Sequence, residues 1–373
     1  MKLLNRKQII AGIKAVAHLR TVVVSAENGV GKTAIFHELC RDPKYANHIK
    51  VAPVDCTQLS DGSIWMPDVD REQGISRELP NDRFGVSKVN QKGVNGSRPV
   101  LIFLDEILKT RQYIKDTIAP IMYDRRVGSY HFVEGSLVVC ATNLAMEGLG
   151  DIIQPHLRSR LVMVNMAKPT CDEWVQHATD VSMAAEVIAC ADEHPMWFDS
   201  FLDYMAGGKH HGKVMSKDNP IPFNPNEAQD GYVSPRTLHT ASDIVLNKDT
   251  MDTDTMQAFL EGAIGATAAE ALAAYIRFGQ DNPSFDEVRA NPAHARVASS
   301  PVAQIVMAFK LVTNTQDRDD AEAATEYVAR LKGEMQNLFV NRVANTTSRL
   351  SHFLTVAPFQ KMLAANKIYF SNK

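Results

Sequence analysis

The sequence predicts an α/β fold: a parallel sheet covered on both faces by helices, followed by an all-helical region. Three observations predict it. Strand-like and helix-like runs alternate up to about residue 167, as crossover connections between parallel strands require. The runs "TVVVSA" (21–26), "VLIFLDE" (100–106) and "LVVCATN" (137–143) are apolar on consecutive positions, as strands buried on both faces are. Beyond residue 167 no convincing strand follows, and helical periodicity takes over.

The elements follow in order. Residues 6–18 alternate apolar and polar positions at helical spacing and predict a leading helix. "TVVVSA" is the first buried strand. A Gly-rich turn leads into "KTAIFHELC", where Ala34, Ile35, Leu39 and Cys40 share a helical period. "HIKVAPVDC" (48–56) reads as a second strand. Residues 57–98 are rich in Gly, Asp, Asn, Ser and Pro around an apolar knot, Ile64-Trp65-Met66. A helix is expected over 110–125, after "VLIFLDE". In "RVGSYHFVEGSLVVCATN" a strand, a turn at Glu134-Gly135 and a second strand are expected. "LVMVNM" (161–166) is the last strand. Helical patterns cover roughly 171–191, 196–206, 235–247, 253–278, 301–313 and 318–341, with a long polar loop from Gly207 to Ser234 and a linker at 279–292. The expected domains are an α/β unit at 1–167, a helical domain at 168–280 and a helical extension at 281–373.

Composition narrows the class. Hydrophobic residues are 45% and charged residues 22% of the 373, an ordinary globular balance. A net charge of −3 gives no global basic field to hold a duplex. The five cysteines are scattered without a C-x-x-C pair, which leaves a zinc site of that spacing unsupported and fits a reducing compartment. No secretory signal is visible. The most apolar long stretch, Phe259 to Phe278, is interrupted by Glu261, Glu270 and Arg277. A soluble, cytoplasmic protein without a membrane span is expected.

Five local features carry chemistry. "AENGVGKT" (26–33) matches the phosphate-loop pattern G-x-x-x-x-G-K-[ST] with Ala26 in place of the first Gly. Backbone N–H groups of Asn28, Gly29, Val30, Gly31 and Ala34 would converge on an anion at a helix start. Lys32 would reach the β/γ-phosphates and Thr33 would ligate Mg²⁺. Asp105, at the end of "LIFLDE", would complete the Mg²⁺ site, and Glu106 would polarise the attacking water. Asn143, at the tip of "VVCATN", would orient that water. Arg158 and Arg160 precede the last strand, where an arginine can reach a neighbouring subunit's phosphate. In "VSPRTLHTASDIV", Ser234 caps a helix, Pro235 fits its first turn and Arg236 projects from its start. Taken singly, Asn143 reads better as an ordinary strand end, and the arginines as surface ion-pairing or exposed helix-start groups. The order of all five is what favours nucleotide hydrolysis.

In that order the features resemble the AAA+ ATPases: "AENGVGKT" as Walker A, "LIFLDE" as Walker B, "ATN" as sensor 1, "LRSRL" as the finger segment and "SPRT" as sensor 2. The chain is similar to the MoxR branch in "PVLIFLDEI", "DRRVGSYHFVEGSLVVCATN", "LRSRLVMVNM", "DEW", "SPRTLHTASDIV", "GATAAEALAAYIRF" and "NPSFDEVRANP". The resemblance spans roughly 20–340, and is specific in 98–170 and 232–292. It implies a five-stranded parallel core between helices, a helical lid at 168–280, ATP and Mg²⁺ at subunit interfaces, and a homo-oligomeric ring, usually a hexamer. It also implies a partner with a von Willebrand factor A domain and a remodelled protein client. Two insertions are expected, at about 57–97 and 127–135, facing a pore or upper surface. Trp65, Met66 and Tyr130 become candidate client contacts, with local packing as the alternative. The chain departs from the branch at Ala26, at "ILKTRQYIKD" where relatives often have an Asn-Arg-Ala-like stretch, and at "CATN".

Two rival functions use the same core. A nucleic-acid motor would need a basic lining, for which Lys88, Lys92, Arg98, Arg125 and Arg126 are placed near the insertions. A nucleotide-dependent scaffold would bind without hydrolysis. The phosphate contacts are common to ATP and GTP. "KHHGK" (209–213) has two adjacent histidines, a poor chelate, and reads as a solvated loop.

Overall fold

The computed structural model describes residues 2–143, 158–201, 221–224 and 228–365. The chain divides into two compact units. The first holds the described residues up to Lys168, with Ser200 and Phe201. The second holds Pro169 to Asp199 and the described residues from Ile221 onward.

The first unit is built on a parallel sheet. Its strands are β1 (Leu3–Leu4), β2 (Thr21–Ser25), β3 (Ile49–Lys50), β4 (Val54–Asp55), β7 (Val100–Asp105), β10 (Leu137–Thr142) and β11 (Leu161–Met166). Their order is β1-β11-β2-β10-β7-β3, with β4 also on β7, and every pairing is parallel. β3 and β4 lie along the same edge of β7, at Val100–Leu101 and at Leu104–Asp105. They are therefore one strand position in two pieces. The expected single strand over 48–56 is interrupted around Pro53, which has no N–H to give to a ladder. With that merger the five expected strands are present, and β1 adds a short edge on β11.

Alternate residues of each central strand feed opposite cores. Val23, Ile102, Leu104, Val138 and Cys140 face one core, closed by Ile114, Ile118 and Ile121 of α3 (Gln112–Tyr123). Val22, Val24, Leu101, Phe103, Val139 and Ala141 face the other, closed by α1 (Arg6–Val16) and α2 (Lys32–Arg41). Burial on both faces explains why these strands lack polar alternation.

The polar stretch 57–98 contains an antiparallel hairpin, β5 (Trp65–Asp70) and β6 (Ile75–Pro80), which periodicity did not predict. A second hairpin joins β8 (Arg126–Val127) to β9 (Tyr130–His131) through Gly128-Ser129. The chain therefore reverses once before the expected turn at Glu134-Gly135. The two hairpins touch. The Ser129 N–H donates to the Glu78 carbonyl at 3.1 Å, and the Glu78 N–H donates to Ser129 Oγ at 3.0 Å. Gly128 has φ +54, and a Cβ there would lie 2.4 Å from the Glu78 carbonyl oxygen.

The second unit is helical. Its helices are α4 (Cys171–Asp180), α5 (Ala185–Glu193), α6 (Pro235–Leu246), α7 (Thr253–Ile264), α8 (Ala266–Gly279), α9 (Phe285–Ala290), α10 (Pro301–Asn314), α11 (Arg318–Ala329), α12 (Gly333–Asn345), α13 (Leu350–Leu354) and α14 (Ala357–Ala365). Two cores fill it, one among α4 to α8 and one among α9 to α14. Helix α10 serves both: Val306 and Phe309 enter the first, Met307 and Leu311 the second. The expected helices over 171–191 and 253–278 are each two helices, split at Ser182 (φ 58) and Gly265 (φ 82). The run expected over 318–341 is α11 and α12. The expected linker at 279–292 carries α9, whose Ser284–Glu287 capping box starts it and whose Val288 is buried in the second core. Of 196–206, Pro195–Phe198 form a 3-10 turn. Positions 202–206 and most of the polar loop, with "KHHGK", lie outside the described residues.

Candidate functional site

The strand β2 delivers Ala26 to the carboxyl end of the sheet. There the Ala26 N–H donates to the Thr142 carbonyl of β10 at 3.3 Å, so the loop leaves the sheet still tied to it. Gly29 (φ 73) and Gly31 (φ 91) then take left-handed backbone, and Gly31 caps α2. A side chain at such a position costs about 1–2 kcal/mol. Val30 packs into the core beneath, and the Ala34 N–H donates to the Gly31 carbonyl at 3.1 Å, closing the first turn. Asn28 stands half-buried between Glu27 and Gly29.

Lys32 is the first residue of α2 and only 7% exposed. Its Nζ donates to the Ala26 carbonyl at 3.3 Å, the Glu27 carbonyl at 3.0 Å and Asn143 Oδ1 at 2.5 Å. Next along the helix, Thr33 Oγ1 donates to Asp105 Oδ2 at 3.0 Å. The other Asp105 oxygen, Oδ1, accepts from the Glu106 N–H at 3.0 Å. Lys32, Thr33, Asp105, Glu106 and Asn143 thus meet at the carboxyl ends of the three neighbouring strands β2, β7 and β10, where parallel sheets bind ligands.

Glu106 has φ 53, an uncommon left-handed conformation for a residue with a side chain, costing of order 1–3 kcal/mol. Its Oε2 lies 3.4 Å from Lys109 Nζ, close enough for an ion pair. That oxygen is nevertheless buried without a well-aligned hydrogen bond. The contact is electrostatic rather than directional.

Three further residues join the site without having been anticipated. Lys109 is one, and its i+3 spacing from Glu106 was the available signal. Asp55 pairs in register with Asp105 across β4 and β7. Its carboxylate accepts from the Thr57 N–H at 2.9 Å, Thr57 Oγ1 at 2.7 Å and Gln58 Nε2 at 2.9 Å. A carboxylate ending a second strand could have been read as Asp105 was. Glu27, 2% exposed, accepts from Ser200 Oγ at 2.6 Å. No local pattern announces a partner 173 residues away. Below Asp55, burial pushes the Cys56 thiol far above its ordinary range, aided by the charges of Asp55, Asp105 and Glu106.

A hydroxyl and a carboxylate 3.0 Å apart are hard oxygen donors of the kind Mg²⁺ takes. Among the described residues no group of three or more His, Cys, Asp or Glu is arranged to hold a metal alone. That donor set suits a cation shared with phosphate and water rather than caged by protein.

Arg160 sits just before β11, whose Leu161 pairs with Thr21 and whose Asn165 pairs with Ser25. It is therefore at the amino end of the sheet, roughly 15 Å along the strand direction from the phosphate loop of its own chain. Its guanidinium lies over the Tyr123 ring, 5.7 Å from the centroid. Burial holds the Tyr123 hydroxyl up at about 12. Arg158 is exposed beside it. Arg236 is exposed in the first turn of α6, whose start is fixed by Pro235 and the Ser234–Thr237 capping box.

The candidate client contacts separate. Met66 is 61% exposed on β5, and Trp65 is half-buried against the α3-side core. Tyr130 is corrected: at 4% exposure it is a core residue, because the β8–β9 hairpin folds its ring inward. The basic residues near the insertions have partners. Lys88 pairs with Asp68 at 3.8 Å and Lys92 with Glu134 at 3.1 Å. Arg98 donates to the Asn47 and His48 carbonyls, Arg125 to Ala17 and Arg126 to Gly128. No described helix is long and apolar enough to cross a membrane.

No protein-family model matches the sequence, and no curated protein matches it. Loose likenesses exist among solved structures. NtrX from Brucella abortus in complex with ADP is 13% identical over 96% of this chain and 68% of its own, with a TM-score of 0.38. The same protein in complex with ATP is 13% identical over 98% and 70%, with a TM-score of 0.36. A candidate ATPase from Cytophaga hutchinsonii is 9% identical over 97% and 81%, with a TM-score of 0.29. Likenesses this loose assign no activity to this chain.

Proposed function

We propose that this chain is an ATP-hydrolysing AAA+ protein of the MoxR type. In this reading it works as a ring, expected to be hexameric, and remodels a protein client with a von Willebrand factor A-domain partner. One observation carries the hydrolytic part: Lys32, Thr33, Asp105, Glu106 and Asn143 converge at the ends of β2, β7 and β10. The ring, the partner, the lid role of 168–280 and the extension role of 281–373 rest on the motif resemblance.

The chemistry follows from the residues. The left-handed glycines let the loop N–H groups curl around a phosphate, and the start of α2 adds its positive dipole end. The Lys32 ammonium gives its three N–H groups to two carbonyls and Asn143, so it would turn at least one of them to a bound phosphate. Thr33 and Asp105 would hold Mg²⁺, which would supply positive charge to offset that of the phosphates. Glu106 accepts a proton as water oxygen bonds to the γ-phosphorus. The bond to the bridging oxygen breaks, and ADP leaves with that electron pair. Asn143 has its Oδ1 on Lys32, which leaves its amide group to align the water. Arg160 stands too far from its own loop to serve it, and acts on a neighbouring chain. Arg158 is the second candidate, and Arg236 reports the nucleotide to the lid.

The test is hydrolysis and binding by the full chain with Mg²⁺. Lys32→Ala should abolish nucleotide binding. Glu106→Gln should bind ATP and lose turnover by roughly 100-fold or more. Turnover in Glu106→Gln equal to that of the unaltered chain would overturn the hydrolytic reading. Affinity purification of that variant with ATP should recover a protein with a metal-ion-dependent adhesion motif. Recovery of nucleic acid alone would overturn the MoxR assignment.

A further inference from the structure

We propose that Lys109 is a positioning residue for Glu106, holding the carboxylate in the one orientation that presents its other oxygen to water. The inference rests on the hydrolytic reading of the site and goes beyond it.

Four observations carry it. Glu106 leaves β7 in left-handed backbone, so its side chain departs in a direction that neither a strand nor a helix would give it. Its N–H is held by Asp105 Oδ1 and the next N–H, of Ile107, by the Ala141 carbonyl at 3.3 Å, so the backbone is fixed on both sides. The Lys109 N–H donates to the Glu106 carbonyl at 3.0 Å, a tight turn that brings the two side chains together. Finally, Oε2 is buried without a well-aligned hydrogen bond, and the charge of Lys109 at 3.4 Å stands beside it.

With the backbone fixed and Oε2 held only by charge, the carboxylate's rotation depends on Lys109. Both side chains are about a quarter exposed, so the attraction is damped but not screened away. Removing the ammonium would let the carboxylate turn.

The experiment is steady-state hydrolysis by the full-length Lys109→Met, Lys109→Arg, Glu106→Gln and doubly substituted chains. Nucleotide affinity is read in parallel with a fluorescent ATP analogue. The expected result is a fall in kcat of roughly tenfold for Lys109→Met, with affinity within about twofold. Lys109→Arg should recover most of the rate. In the Glu106→Gln background the Met substitution should cost nothing further, since Lys109 acts through Glu106. An unchanged kcat, a loss that tracks nucleotide affinity, no recovery with Lys109→Arg or additive losses would each overturn the inference. If the unaltered chain binds no nucleotide, the hydrolytic reading itself fails. An active parent with an equally active Lys109→Met chain sinks only the role of Lys109.

Discussion

Lys32 is preset by Asn143, a residue 111 positions away, and that pairing separates what the sequence could and could not reveal. The loop glycines, Lys32, Thr33, Asp105 and Glu106 were legible because their chemistry needs fixed local spacing. The bond from Lys32 to Asn143 was not, because it depends on which strands lie side by side; nor was the Glu27–Ser200 contact across 173 positions, while the Lys109–Glu106 pair is local and its spacing was in view. Ala26 was a visible departure; it is buried, with its N–H on the Thr142 carbonyl, before the part of the loop that curls. Ala26→Gly should therefore change nucleotide affinity by less than about threefold, since the glycines that curl the loop are Gly29 and Gly31. A large gain in affinity would show the site to be a weakened one. Thiol chemistry offers a second check. Burial raises all five cysteine thiols above the ordinary range. At pH 8 the native chain should thus present little thiolate and alkylate slowly, while the urea-unfolded chain alkylates at every cysteine. Mass spectrometry of the labelled chain decides it.

At the scale of elements, the misreadings share physical causes. The strand over 48–56 breaks where Pro53 cannot donate. The β5–β6 hairpin was illegible because neither of its faces is fully covered, so its residues show no apolar alternation. Helix α9 was hidden by flanking Asn and Pro, although "SFDE" is a capping box in plain view. The contact between the two hairpins hinges on Gly128. Gly128→Ala should force them apart, which limited proteolysis within 71–74 would detect as faster cleavage, with nucleotide binding retained. In the helical unit Arg349 ties three elements together. It donates to the Thr315 carbonyl at 3.1 Å, the Thr179 carbonyl at 2.9 Å and Ser182 Oγ at 2.6 Å, joining the start of α13 to the end of α10 and the α4–α5 break. Arg349→Met would orphan those acceptors at about 1–3 kcal/mol each. Calorimetry should show the helical unit melting earlier, with the α/β unit unmoved.

At the scale of the molecule, the two units differ in what the sequence disclosed. The α/β unit was legible as a whole because strands buried on both faces have a distinctive composition. The helical unit was legible as helices but not as two cores joined through α10, because periodicity shows that a helix has an apolar face and not what covers it. The position of Arg160 gives a test at this scale. Arg160→Ala chains and Lys32→Ala chains should each be inactive alone. Mixed, they should recover part of the rate, because an intact loop can then meet an intact arginine. No recovery on mixing would remove Arg160 from the site.

If Arg160 completes a neighbouring chain's site, as proposed, its placement at the opposite end of the strands from the loop has an arithmetic consequence. A chain that carries the two halves of a site on different ends can complete it only head to tail, so every contact has a direction. An open row of n chains then holds n − 1 complete sites, and one end always idles. Closing the row adds the missing site without adding a chain. Turnover per chain should therefore climb with concentration from zero for the lone chain and level off only when no ends remain. Sedimentation and rate measured on the same dilution series would show whether the plateau marks a closed circle or an ever-longer filament.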